Sequence, residues 1–422
     1  MKAVREKPLQ IGCIADDFTG ASDAASFLQK AGLRTMLVDG SRLQADILEY
    51  GPDAIVVPLK TRSIPPEAAV GQTVAAARRL LELGAQQLYF KYCSTFDSTP
   101  AGNIGPVTDA LLELLDMPFT ILCPSLPVNG RTVEDGTLYV NGIPLAESSM
   151  RNHPVNPMTK SSLKELMEEQ SRYPCVVLTR PVLYGDTPMD RIYGSGRCTA
   201  VPPYTTDADG ARIAEVFGTL PLLTGGSGLL EHLGRRAIVS GQRRNPLPAV
   251  QKDGHPRLLL AGSCSAMTKK QIQTYLCHGG KAVRIVPEQL LSGVQTETDL
   301  CRYVRETEED LLVYSTADAD QVKHAQSAAG AENISKLLET LMGRLAVCGR
   351  DCGMTRIVVA GGETSGAVAQ ALNLHAYWIG RNAAPGVPEL WPVNQQGPRL
   401  ILKSGNFGTE HFFLTALQSE SQ

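Results

Sequence analysis

The segment LQIGCIADDFTGASDAASFLQK, residues 9–30, contains an apolar run followed by a helical pattern. The run over residues 9–15 predicts a buried strand, and a glycine turn then leads into a helix over residues 21–30. A strand followed by a helix is the unit from which parallel sheets are built. Asp16 and Asp17 come directly after the strand, so they are expected at its carboxyl end, where such sheets bind ligands.

The same alternation continues along the chain and predicts two α/β domains with mostly parallel sheets flanked by helices. Further apolar runs occupy residues 35–39, 54–59, 88–93, 119–123, 175–179, 221–223, 257–261, 282–286, 311–314, 356–360 and 400–402. The Gly- and Pro-rich stretch over residues 241–257 has no periodicity and is typical of an interdomain linker. We therefore expect domains at residues 1–245 and 246–422, with the active site in the cleft between them. A second irregular stretch, residues 124–157, has Asn-Gly steps that indicate a hairpin insertion or an ordered loop beside the site.

The composition of the chain argues against several classes of binding partner, among them nucleic acid and membranes. A formal net charge of -3 provides no large basic field for nucleic acid or an anionic membrane. The chain has no apolar run of about 18 residues that would span a bilayer, and its charged start does not resemble a signal peptide. Its ten cysteines form no Cys-x-x-Cys pair and its seven histidines no metal-ligand spacing. We expect a cytoplasmic protein without a metal site of its own, and a homo-oligomer is compatible with the sequence.

Charged side chains follow other predicted strands of the first domain. Arg62 comes after the third apolar run, and Lys91 and Asp97 come after the fourth. Parallel strands would place them at the same sheet edge as Asp16 and Asp17. An arginine can bind a carboxylate through two hydrogen bonds, and aspartates accept hydrogen bonds from hydroxyl groups. The edge is thus suited to a polyhydroxy acid, although an aspartate before a helix can also serve only as its cap.

Glycine-rich turns follow strands of the second domain. They contain Ser263 and Ser265, the run Gly361-Gly362-Glu363-Thr364, and Gly405. Glycine lets the backbone approach a phosphate, and a helix that starts after the turn offers free N–H groups to an anion. Together the turns predict a triphosphate cradle, whereas each alone would be an ordinary turn. Neither the turn that contains Ser263 nor the turn that contains Gly361 matches the Walker A motif or the dinucleotide fingerprint.

Taken in order, these segments resemble the four-carbon acid sugar kinase family and, within it, the 3-oxo-tetronate kinase branch. The resemblance covers residues 15–20, 91–105, 124–158, 223–229, 261–265, 359–366 and 403–408. It implies an amino-terminal domain that binds the acid sugar and a carboxyl-terminal domain that binds ATP. It also implies phosphorylation of the terminal (4-) hydroxyl, with Mg²⁺ inferred from the ATP chemistry.

The resemblance also assigns roles to the candidate residues. Asp17 and Asp16 are the catalytic candidates; the substrate contacts are Arg62, Lys91 and Asp97; and the nucleotide contacts are Ser263, Ser265, Gly361, Gly362, Glu363, Thr364 and Gly405. Glu363 is also a candidate for an indirect contact with magnesium.

The segment over residues 97–103 bears on the substrate. It reads DSTPAGN, whereas family members that act on threonate or erythronate tend to have DSTLRGN. The absence of the arginine favours 3-oxo-tetronate as the substrate. A kinase for threonate or erythronate, or a non-catalytic two-lobed sensor of sugar acids, remains the alternative.

Overall fold

The chain was analysed as a computed structural model in which it divides into two compact units, Met1–Asn245 and Pro246–Gln422. The structure describes residues 8–152, 156–185, 192, 196–238, 254, 256–315, 331–373, 375–394 and 397–418. Most of the predicted linker, and the predicted boundary at residues 245 and 246, lie outside the described residues.

The first unit is built on a parallel sheet with strand order β2-β3-β1-β4-β11-β5-β10-β9. Its strands are β1 Ile11–Ala15, β2 Thr35–Val38, β3 Ala54–Pro58, β4 Gln87–Lys91, β5 Phe119–Cys123, β6 Arg131–Glu134, β7 Thr137–Val140, β8 Ile143–Pro144, β9 Cys175–Val177, β10 Cys198–Val201 and β11 Leu222–Gly225. Its helices are α1 Phe18–Ala31, α2 Pro66–Glu82, α3 Ile104–Leu114, α4 Leu163–Glu168, α5 Arg180–Tyr184, α6 Asp207–Phe217 and α7 Leu230–Ala237, with short 3₁₀ segments at Gly40–Arg42, Ala45–Tyr50, Pro127–Asn129, Leu145–Glu147 and Ser149–Asn152. All five residues of β1 are buried, because helices cover both faces of such a sheet.

The predicted hairpin insertion is confirmed. Strands β6, β7 and β8 form a small antiparallel sheet of their own. The chain reverses between β7 and β8 at Asn141 and Gly142, which have positive φ angles of 53° and 80°. Two consecutive residues with positive φ match the twist of a two-residue hairpin, and Asn-Gly adopts this conformation with little strain.

The second unit has a sheet with strand order β13-β14-β12-β15-β18-β17-β16. Its strands are β12 Leu258–Ala261, β13 Lys281–Arg284, β14 Leu311–Tyr314, β15 Arg356–Ala360, β16 Ala376–Ala384, β17 Val387–Pro392 and β18 Arg399–Lys403. Its helices are α8 Ala266–Cys277, α9 Pro287–Leu291, α10 Glu297–Glu306, α11 Ala331–Asp351, α12 Gly362–Leu372 and α13 Phe412–Ala416. Neighbouring strands in the series β13-β14-β12-β15-β18 pair in parallel. Strand β17 pairs antiparallel with both β18 and β16, and the hairpin of β16 and β17 was not predicted by the sequence analysis.

Both sheets contain a point at which the chain leaves neighbouring strands in opposite directions. In the first unit, β1 leads through α1 to β2, while the adjacent β4 leads through α3 to β5 on the other side. In the second unit, β12 leads through α8 to β13, while the adjacent β15 leads through α12 towards β18. A crevice forms at the carboxyl ends of strands at such a point, and ligands bind there.

The predicted fold class of mostly parallel sheets flanked by helices is confirmed. Among the described residues, no helix has the length and apolar character needed to cross a bilayer.

Candidate active site

The first candidate cluster lies at the carboxyl ends of β1, β3 and β4, and its centre is an ion pair. The Arg62 guanidinium donates two hydrogen bonds to the Asp16 carboxylate, at 2.9 Å from Nε and 2.8 Å from Nη2. The same Nη2 lies 2.6 Å from Oδ2 of Asp17. The sequence analysis predicted that these three residues would lie at one sheet edge, and the structure has them in contact. However, the side chain of Arg62 is already engaged by two protein carboxylates.

The backbone of Asp16 ties the three strand ends to one another. Its N–H donates to the carbonyl of Lys91 over 3.1 Å. Its own carbonyl accepts from the N–H groups of Thr61 and Arg62, at 3.0 and 3.3 Å. Asp16 is only 6% exposed, and its pairing with Arg62 offsets the cost of burying a carboxylate.

Asp17 is the N-cap of α1, and its side chain accepts a hydrogen bond from the Gly20 N–H. Burial by itself would raise the pKa of Asp17, but the charges of Arg62 and Lys91 and the Gly20 hydrogen bond hold the pKa below its usual value. Asp17 is therefore ionised at neutral pH. The capping role that the sequence suggested is real, and the carboxylate is also part of the charged cluster.

Lys91 ends β4 and is 5% exposed. Its ammonium group makes no hydrogen bond and no ion pair within 4.0 Å with any residue in the described part of the chain, although Asp17 and Asp23 are near enough to interact electrostatically. It lies over Gly20, where an added Cβ would come closer than 3.0 Å to both the Lys91 Nζ and the Asp17 Oδ1. A buried cation with unused donors is ready to bind an anion.

Two residues of this edge were not predicted as site residues. Asn103, just before α3, donates from Nδ2 to the carbonyls of Thr61, at 2.5 Å, and Ile64, at 2.9 Å, and so holds the loop that carries Arg62. Asp23 lies on the buried face of α1 and accepts a hydrogen bond from the Ser227 hydroxyl. The signal for Asp23 was a charged residue among the small and apolar residues of the predicted helix over residues 21–30.

Asp97, the remaining predicted contact, is buried in the loop that follows β4. It comes directly after Phe96, whose φ is 46°. Its carbonyl accepts a hydrogen bond from the Asn156 side chain over 3.4 Å. Asp97 is therefore a buried residue of the loop between Lys91 and Asn103, and its backbone is held by Asn156.

The second candidate cluster lies in the second unit, where β12, β15 and β18 end side by side. A Cβ at Gly405 would come within 2.9 Å of Ser265 Oγ and closer still to Ser263 Oγ. A Cβ at Gly361, which has a φ of +130°, would come within 3.0 Å of Thr364 Oγ1 and 3.2 Å of the Ser263 N. The structure therefore brings the three predicted glycine turns together.

The turns lead into helix starts whose N–H groups face away from the helix body. Ser265 is the N-cap of α8 and accepts from the Thr268 N–H over 3.2 Å. Gly361 is the N-cap of α12 and makes no side-chain cap bond. The next two residues, Gly362 and Glu363, are exposed. Helix starts with accessible N–H groups favour phosphate binding.

Lys403 is a third residue that the sequence analysis did not assign to the site. It is completely buried at the end of β18, and its Nζ donates to Gly405 O at 2.8 Å, to Thr268 Oγ1 at 3.0 Å and to Ser404 O at 3.1 Å. Burial lowers the pKa of Lys403 to about 7. All three of its donors are used within the protein, so Lys403 shapes the Gly405 turn.

Neither cluster is a protein metal cage. The described residues contain no group of three or more His, Cys, Asp or Glu side chains that could hold a metal ion. A magnesium ion that arrives with a nucleotide does not need such a group, since it keeps several waters and takes most of its other ligands from phosphates.

Comparison with known proteins matches both units. A profile described as a sugar-binding N-terminal domain matches residues 11–233, and one described as a nucleotide-binding C-terminal domain matches residues 258–413. The fold and the two clusters thus define a two-domain sugar kinase, an enzyme that transfers phosphate from a nucleotide to a hydroxyl group.

Curated relatives and a solved structure match this chain over nearly its full length. A 3-oxo-tetronate kinase of Brucella melitensis is 42% identical, with 98% of this chain and 96% of the relative covered. One of Salmonella typhimurium is 41% identical, with coverage of 97% and 98%. A Haemophilus influenzae crystal structure matches with a TM-score of 0.76 and 39% identity, covering 96% of this chain and 98% of that one. The chain belongs to the four-carbon acid sugar kinase family.

The contact between Gly20, Asp17 and Lys91 gives a first prediction. In Gly20→Ala, the added methyl group must displace the ammonium or the carboxylate, and a displacement of about 1 Å at reacting groups costs about a hundredfold in turnover. We expect a loss of that size in sugar-dependent ADP release. Gly71→Ala is the matched control, because it lies within α2 with open space around its Cβ. Equal activity of the two variants would show that the Gly20 contact is unimportant.

The glycine turns give a second prediction. In Gly405→Ala the methyl group would push apart the Ser263 and Ser265 hydroxyls, so the KM for ATP should rise about tenfold or more, or about 1.4 kcal/mol, while the KM for the sugar changes little. Gly366→Ala, within α12 and with no atom within 4 Å of the added Cβ, serves as the control. Steady-state kinetics with each substrate varied in turn measure both constants. An unchanged KM for ATP would contradict the assignment of this cluster.

Proposed function

We propose that the chain phosphorylates the terminal 4-hydroxyl of a four-carbon acid sugar, with 3-oxo-tetronate as the favoured substrate and MgATP as the donor. The observation that carries the proposal is the buried Lys91 ammonium, with unused donors, at the same sheet edge as the ionised Asp17. A cation and a carboxylate at one edge suit a small molecule that has a carboxylate at one end and a hydroxyl at the other. The names of the relatives and the DSTPAGN segment support 3-oxo-tetronate.

On the acid side, Lys91 binds the sugar carboxylate. Arg62 is the weaker candidate for this role, because both its Nε and its Nη2 already donate to Asp16. Its role is instead to hold Asp16 and Asp17 in fixed positions. Asp97 completes the substrate contacts from the loop after β4.

Asp17 orients the acceptor hydroxyl. Because its pKa is held below the usual value, Asp17 is a weak base, and its main contribution is to accept a hydrogen bond from the hydroxyl and align it with the γ-phosphate. Phosphoryl transfer passes through a loose transition state in which positioning and charge stabilisation matter more than proton removal. Asp16 supports this function by keeping Arg62 in place.

On the nucleotide side, the turns that contain Ser263, Ser265, Gly361, Thr364 and Gly405 bind the phosphates through backbone N–H groups and hydroxyls. Magnesium, when bound, would neutralise phosphate charge, and the exposed Glu363 is the candidate for an indirect contact with it. Residues 1–245 thus form the domain that binds the sugar, and residues 246–422 form the domain that binds the nucleotide. The cleft between the two domains, the cytoplasmic location and the oligomeric state stay predictions.

A panel of four-carbon acids tests the function. The purified enzyme is incubated with MgATP and, separately, 3-oxo-tetronate, threonate or erythronate, and ADP release is measured. We expect the highest kcat/KM for 3-oxo-tetronate, and NMR of the product should locate the phosphate on the 4-oxygen. A higher kcat/KM for threonate or erythronate would overturn the substrate assignment. Binding of an acid without ADP release would instead favour the sensor.

Substitution of Asp17 tests the catalytic role. Asp17→Asn keeps the size and the helix cap but removes the charge, so we expect kcat to fall about a hundredfold or more while the KM for ATP changes little. Asp46→Asn, at an exposed position of the same unit, is the control. Unchanged turnover in Asp17→Asn would remove Asp17 from the mechanism.

A further inference from the structure

Asp23 is a buried carboxylate that the proposed mechanism does not use. It is 5% exposed and lies within α1. Its Oδ2 accepts a hydrogen bond from the Ser227 hydroxyl, which is itself only 2% exposed. Its Oδ1 is buried and has no hydrogen-bond partner among the described residues. A buried carboxylate with one unsatisfied oxygen is an unusual and costly feature.

Asp23 also interacts with Lys91. The two groups attract each other electrostatically, yet they form no ion pair within 4.0 Å in the described part of the chain. Among the described residues at this edge, Asp16, Asp17 and Asp23 contribute three carboxylates, and Arg62 and Lys91 contribute two cations. With all five groups charged, these five side chains carry one excess negative charge. An anionic ligand on Lys91 would add a second negative charge in a buried location.

We propose that binding of a sugar-acid anion to Lys91 is coupled to the uptake of one proton by Asp23. The inference rests on the proposed function, in which Lys91 holds the carboxylate of the substrate. Asp23 is then a positioning residue that competes with the substrate for Lys91 when ionised and releases Lys91 when protonated.

The physical basis is linkage between two negative charges that share one cation. Burial raises the pKa of Asp23 to about 6, although Lys91 and Ser227 act in the opposite direction. A second anion on Lys91 weakens the effect of Lys91 and adds repulsion, so the pKa of Asp23 rises further when the anion binds. Each anion therefore binds with net uptake of a fraction of a proton at pH 7.

Other groups near Asp23 titrate elsewhere or are already paired. Asp17, at the start of α1, has a lowered pKa. On β1, burial raises the pKa of the Cys13 thiol to about 12. On α7, Glu231 pairs with Lys30 and Arg235, and His232 pairs with Asp207. On β4, Lys91 is the charged group that faces Asp23. Burial lowers the pKa of His232 below its usual value, so the Asp23 variants described below are needed to assign the proton to Asp23.

Calorimetric titration without ATP tests the coupling. Threonate, erythronate and 3-oxo-tetronate are titrated at pH 7 in PIPES and in imidazole, whose ionisation enthalpies differ, and the dependence of the heat on the buffer gives the number of protons taken up. Phosphate buffer is avoided because phosphate is itself an anion. We expect net uptake in the wild type and weaker binding as the pH rises from 6 to 8.

Three variants locate the proton. Asp23→Asn should abolish uptake and, because it imitates the protonated state, tighten anion binding at pH 8 about tenfold or more by reciprocal linkage. Ser227→Ala removes a hydrogen bond that favours the ionised form, so the pH at which affinity falls should move upward. Asp109→Asn is the matched control, because Asp109 is also a buried aspartate with a raised pKa, on α3 and bonded to Ser171. It should leave uptake unchanged.

The stability of Asp23→Asn gives a readout that does not depend on binding. Since the folded-state pKa of Asp23, about 6, lies above its usual value of 3.8, ionisation of Asp23 costs folding free energy that builds up between these two pH values and is complete above pH 6. The variant should therefore unfold at a higher temperature than the wild type at pH 8, and this advantage should shrink steadily as the pH is lowered towards 3.8.

The possible outcomes separate the two proposals. Anion binding by the wild type without proton uptake, or uptake that persists in Asp23→Asn, would overturn the coupling and leave the proposed function intact. No binding by any of the three acids would contradict the proposed function and the coupling with it. A fall in affinity of Asp23→Asn, together with a lower unfolding temperature at pH 8, would show that Asp23 has only a structural role.

Discussion

The ion pair between Asp16 and Arg62 organises the charged edge of the first unit. Its two hydrogen bonds are 2.9 and 2.8 Å long, and the backbone of Asp16 connects the ends of β1, β3 and β4. Because removal of Arg62 would leave the buried charge of Asp16 without its ion-pair partner, the pair fixes the position of both side chains. Asp17 receives its low pKa from the same guanidinium. The charge of a catalytic candidate is thus set by a contact that involves no ligand.

The two units present different chemistry at the same position in a parallel sheet. At the edge in the first unit, charged side chains dominate, which fits the small monoanion of the proposed function. At the edge in the second unit, backbone N–H groups, hydroxyls and glycine turns dominate, and the lysine present, Lys403, spends its donors on the protein. Neutral dipoles suit a triphosphate, since most of its charge can be compensated by a metal ion and water.

Much of this arrangement could be predicted from the sequence. Alternation of apolar runs and helical patterns indicated the parallel sheets, and the position of Asp16, Arg62 and Lys91 after their strands brought them to one edge. The hairpin of β16 and β17 was missed, because its strands follow α12 directly and break the expected alternation. Asp23 and Lys403 were missed for another reason: their importance comes from burial and from partners more than 100 residues away in sequence, which no local pattern records.

Asn103 connects the turn that precedes it to the loop that carries Arg62. Its side chain holds the carbonyls of the loop that carries Arg62, and it ends the segment in which branches of the family differ. A Cβ at Gly102 would collide with the Ser98 hydroxyl, so this turn tolerates few conformations. The conformation of this turn is thus transmitted through Asn103 to the backbone beside Arg62. If Arg62 positions Asp16 and Asp17 as proposed, a change in the turn alters the charged edge without replacing any of its side chains.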